Sequence, residues 1–139
     1  MSTAQPKTRS LFLVTAVIEA GTGLALMGVP SLLATLLLGS SLVGPVALTV
    51  GRVAGVALLA LGVAAWLARD DGPSRAATGL VRAMTLYNAA IGMVLAYGGV
   101  GLGLSGIGLW PTVLLHLAMT VWCVMCVLGR PAQTIGSKQ

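Results

Sequence analysis

The stretch LFLVTAVIEAGTGLALMGV, residues 11–29, holds one charged side chain, Glu19, near the middle of an otherwise uncharged run. The run approaches the roughly 20 apolar residues needed to cross a hydrocarbon layer about 30 Å thick. A bare carboxylate at that depth costs several kcal/mol. Glu19 therefore requires partner groups, a water-filled cavity, or a proton that it keeps.

Working outward, residues 46–68, residues 78–97 and Leu109–Leu128 have the same length and character. The chain is 57% apolar and 8% charged, against roughly 25% charged in an ordinary soluble domain, so it cannot cover itself with a hydrated surface. The expected fold is an all-α integral membrane protein with four transmembrane helices in an antiparallel bundle. A further apolar segment, residues 31–38, is too short to cross and too apolar to lie in water; a short outer-leaflet helix is expected there. Residues 11–129 then form one membrane domain between cytoplasmic tails over 1–10 and 130–139. The connections are short, which leaves no separate soluble domain to carry an active site.

The net charge of +5 is distributed unevenly. Lys7 and Arg9 precede the first span, Arg69, Arg75 and Arg82 surround the link between the second and third, and Arg130 and Lys138 follow the fourth, so seven of the eight basic residues fall on one side of a four-pass topology. The positive-inside rule makes that side cytoplasmic, with both termini inside. The compact, Ala/Gly/Leu/Val-rich chain points to a bacterial inner membrane. The basic excess also attracts anionic headgroups. No basic patch interleaved with aromatics is present, so nucleic acid is not an expected partner. Lys7 and Arg9 ahead of an apolar run also fit a cleavable signal peptide, but the run is too long, contains Glu19, and lacks a small-residue cleavage site.

Helical spacing sorts the polar residues onto faces. Thr15, Glu19 and Thr22 share one face of the first span; Thr85, Asn88 and Gly92 share one face of the third, with Tyr87 beside it; Thr112, His116, Thr120 and Cys123 align on the fourth. At about 1.5 Å per residue, Glu19, Tyr87 and Asn88 reach similar depth near midplane, with His116 somewhat further out and Arg52 higher still. These five are the candidate ligand or proton site. Glu19 reads either as a structural hydrogen-bonding residue or as a functional proton or cation site, and Arg52 either as an interfacial residue snorkelling outward or as its counter-ion. Small residues spaced by four, Ala47, Gly51 and Gly55 on the second span and Gly92 and Ala96 on the third, allow helix backbones to approach closely in lipid. A homo-oligomer or a membrane-protein partner is the expected assembly.

Motifs with chemical meaning are few. His116 is the only histidine, and a structural zinc site wants four ligands, which the sequence does not offer near it, so no metal site is expected. No cofactor is specified. Cys123 and Cys126 form a Cys-x-x-Cys in the last span, which resembles the last-helix pair of the vitamin K epoxide reductase family; the resemblance implies thiol redox chemistry, although that family's loop cysteine pair is absent. Glu19 within LFLVTAVIEAGTG, in a short four-span chain, resembles the small multidrug resistance transporters, which implies a glutamate exchanging protons for cationic substrates. That family's tryptophan-bearing third-helix pattern is not present. Gly101, Gly103 and Gly106 satisfy G-x-G-x-x-G but lie between two spans without the strand a dinucleotide site needs. Three functional readings follow: a non-enzymatic accessory or helix-packing component with a polar intramembrane core, a small proton-coupled transporter or ligand-binding protein using Glu19, and a thiol redox protein using Cys123 and Cys126.

Overall fold

Pro6, Pro30 and Pro45 each stand in the first turn of a helix, where the missing N–H costs little. In the computed structural model, which describes residues 6–129, the elements are α1 (Pro6–Gly28), α2 (Pro30–Leu38), α3 (Gly44–Ala68), α4 (Arg75–Gly101) and α5 (Leu109–Leu128). No strand occurs among the described residues. The four long helices are apolar and long enough to cross a membrane. The chain is thus an all-helical membrane bundle of four spans with one short extra helix.

Two boundaries differ from expectation by four residues or more. α1 begins at Pro6, so residues 6–10 of the expected N-terminal tail are helical. Thr8 is buried and the Arg9 guanidinium donates to Asp70 at 2.9 Å, which holds that turn against the α3–α4 link. α4 runs on to Gly101, four residues past the expected end, and shortens the last link to residues 102–108. The expected C-terminal tail, with Arg130 and Lys138, lies outside the described residues.

The four spans form two pairs, α1 packing most extensively against α3 and α4 against α5. Glycine makes the first pairing close. A Cβ at Gly23 would come 2.7 Å from the Gly55 carbonyl oxygen and 2.7 Å from the Leu59 nitrogen, and one at Gly62 would come 2.7 Å from the Ala20 nitrogen. Backbone meets backbone along this line, which suits lipid, where dispersion contacts take over from the hydrophobic effect. Between the pairs the filling is side chain instead. Leu11, Phe12 and Ala16 from α1, Ala65 from α3, Ala77, Val81 and Met84 from α4, and Met119, Cys123 and Cys126 from α5 make one buried cluster.

The contact between Arg9 and Asp70 puts the start of α1 and the α3–α4 link at the same end of the bundle. α2 occupies the opposite end. At nine residues it is about 13 Å long and cannot cross. It rests against the last link: the Gly108 N–H donates to the Leu36 carbonyl at 2.8 Å, and Gly106 lies against the Leu37 backbone. Gly39, at φ 78°, ends α2 in the left-handed region that glycine enters without strain.

Candidate functional site

Glu19 sits on the face of α1 turned toward α4, with only 5% of its surface exposed. The Tyr87 hydroxyl donates to Glu19 Oε2 at 2.9 Å, a bond that joins the two helix pairs. One residue along α4, Asn88 is 2% exposed. Its Nδ2 donates to the Met84 carbonyl at 2.8 Å, and its Oδ1 lies 2.9 Å from His116 Nδ1. Because the amide commits Nδ2 to a carbonyl, Oδ1 is the acceptor and His116 donates from Nδ1. The Tyr87 and His116 rings then meet edge to face, with centroids 5.9 Å apart and planes at 77°. Thr120, one turn along α5, donates to the His116 carbonyl at 2.8 Å.

Four of the five candidate residues, Glu19, Tyr87, Asn88 and His116, therefore come together from three helices. Arg52 does not join them. It is exposed near the far end of α3 and its Nε points at the Met27 carbonyl over 3.4 Å, beside the C-terminal turn of α1. Met27 is eight residues beyond Glu19, about 12 Å along the helix, which is too far for a counter-ion contact. A cation there faces the negative end of the α1 dipole instead.

Of the small residues singled out on α3, Gly55 meets Gly23 of α1, Gly51 faces Leu42 and Pro30 at the far corner, and Ala47 is half-buried. On α4, Gly92 lies opposite His116, where an added Cβ would touch the histidine Cβ at 3.5 Å, and Ala96 is half-buried. That is an ordinary van der Waals distance, so a methyl at Gly92 would fit. Gly23 and Gly62 escaped the four-residue spacing rule, since Gly55 and Gly62 are seven apart and Gly23 stands on the partner helix. A seven-residue glycine repeat on α3, read together with Ala16, Ala20 and Gly23 on α1, is the signal that would have found them.

Cys123 and Cys126 are not joined in a disulfide and lie buried inside the shared apolar cluster, Cys123 with the Thr85 side chain beside it. Among the described residues no three of His, Cys, Asp and Glu gather in a metal-binding group. Thr15, one turn from Glu19 on the same face, is 1% exposed, and its hydroxyl is the buried side-chain polar atom left without a hydrogen-bond partner among the described residues.

A second polar group lies at the end of the bundle that carries the α3–α4 link. Asp70 accepts from Arg9 at 2.9 Å and lies 3.1 Å from Arg69, whose guanidinium also stacks 4.0 Å over the Trp66 ring. Arg9 holds the Asp70 carboxyl below its ordinary range. No family model, curated protein or solved structure matches the chain.

Proposed function

We propose that this protein is a non-enzymatic component of a bacterial inner membrane, an accessory or helix-packing subunit whose polar core keeps two helix pairs in one arrangement. The observation that carries this reading is the bond from Tyr87 to Glu19 between α4 and α1. Each polar member of the core except Thr15 already has a partner inside the protein, as a structural network requires. In this reading both termini are cytoplasmic, supported by seven of eight basic residues on that side. α3 buries little of itself, exposing Val46, Val50, Val53, Val56 and Val63, and a second copy or a partner helix would meet that face.

A proton-coupled site at Glu19 is the second reading, favoured by the unpartnered Thr15 hydroxyl one turn away. The two separate on Glu19→Gln, which keeps an acceptor for Tyr87 but removes the titratable group. For a structural core, the variant in detergent keeps its thermal stability and its association state, and reconstituted wild type moves protons no faster than protein-free vesicles. Proton flux in wild-type vesicles that Glu19→Gln abolishes, with folding intact, would overturn the structural reading.

A further inference from the structure

A groove of about 440 Å³ runs along the outside of the α4–α5 pair, lined by Arg82, Thr85, Leu86, Ala89, Val124 and Val127. That volume lies within the range of small-molecule sites, and all but two of these lining residues are apolar. Arg82 is exposed and has no carboxylate or other hydrogen-bond partner among the described residues. None of the three acids, Glu19, Asp70 and Asp71, forms an ion pair with it among the described residues; Asp70 is held by Arg9 and Arg69, and Glu19 by Tyr87. Thr85 spends its hydroxyl on the Val81 carbonyl at 2.9 Å, so it offers no competing donor to the groove.

Depth makes this lone cation informative. α4 has 27 residues, about 40 Å, which matches a bilayer with its headgroup layers. Arg82 lies seven residues from the start of α4, about 10 Å in, a few Å to the hydrocarbon side of the headgroup boundary. From there a guanidinium reaches the phosphate layer by snorkelling, and its fork pairs with a phosphate in two parallel bonds. The apolar part of the groove, Leu86, Ala89 and Val124, runs from Arg82 toward the bilayer centre.

We propose that this groove holds one acyl chain of an anionic phospholipid, in the leaflet at the basic end of the bundle, with the headgroup phosphate paired to Arg82. Charge complementarity selects the headgroup: a net-negative lipid supplies the counter-charge that the protein withholds, whereas a zwitterionic lipid brings its own cation to the same place.

The test is native mass spectrometry of the full chain released from detergent holding equal amounts of phosphatidylglycerol and phosphatidylcholine. Wild type retains phosphatidylglycerol about fivefold more than phosphatidylcholine, from roughly one surface cation's attraction to an anionic lipid. Arg82→Gln brings the two lipids to parity, Arg82→Lys keeps most of the preference, and Arg75→Gln, outside the groove, leaves it in place. Ala89→Phe, which fills the groove, lowers retention of both lipids, and inorganic phosphate alone leaves thermal stability unchanged. Equal retention by wild type, an unaltered preference in Arg82→Gln, or a change of oligomeric state without loss of lipid in Ala89→Phe would overturn the assignment.

Discussion

Where α1 meets α3, an added Cβ on Gly23 would stand 2.7 Å from a backbone oxygen; where α1 meets α4, a tyrosine hydroxyl reaches 2.9 Å to a carboxylate. The first contact is made of shape, backbone against backbone, and cannot accommodate a methyl group without moving a helix. The second is made of long side chains, whose torsions can adjust and whose hydrogen bond is exchangeable for another. Intramembrane hydrogen bonds of this kind average only about 0.6 kcal/mol and reach about 1.7, while overpacking a tight contact commonly costs about 1 to 3 kcal/mol. The glycine seam should therefore dominate stability, and the polar seam should decide which faces meet.

Gly23→Leu should show the largest effect, a loss of about 3 kcal/mol, read by denaturant titration of the purified chain in detergent. Gly21→Leu is its control: nothing lies within 4 Å of a Cβ there, and the site is exposed. If both variants unfold alike, the close contact between α1 and α3 is not what holds the pair.

Tyr87→Phe removes the hydroxyl from the other seam and should cost about 0.6 to 1.7 kcal/mol by the same titration. A loss as large as that of Gly23→Leu would reverse the ranking of the two seams. Thr15→Val sharpens the comparison from the opposite side. The valine keeps the branched shape and removes a buried hydroxyl that has no partner among the described residues, so the variant should be more stable than wild type by about 1 kcal/mol. A loss of stability instead would mean that the hydroxyl serves a bound group.

The smallest effect belongs to the ion pair outside the spans. Arg9 holds Asp70 below its ordinary value of 3.8, so the contribution of that charge is complete above about pH 3.8 and disappears as pH falls through the lower folded value. Wild type and Asp70→Asn should thus differ slightly at neutral pH and converge in strong acid, in thermal unfolding followed by circular dichroism. A difference that grows on acidification would have the wrong sign. Both partners are solvent-exposed, and added salt should shrink the gap at neutral pH.

How far the sequence could be read varies along the chain. Hydropathy and length located all four spans, and an apolar run too short to cross located α2, because both signals are local. The N-terminal boundary was less legible: residues 6–10 look like a polar tail, and only the contact of Arg9 with Asp70, sixty-one residues away, shows why that turn is helical. At the candidate site, shared depth and helical spacing brought Glu19, Tyr87, Asn88 and His116 into one set. The same arithmetic could not place Arg52, whose direction depends on how α3 is rotated against α1.

Residue type and periodicity by themselves determined that this chain lives in a bilayer, that it crosses four times, and that its few polar side chains inside the spans need one another. These follow from the cost of exposing apolar surface to water and polar groups to hydrocarbon, a cost each segment bears alone. Only the tertiary structure decided which helices pair. Lipid is as apolar as leucine, so burying one greasy face instead of another changes little, and the choice falls to where Gly23, Gly55 and Gly62 let two backbones touch.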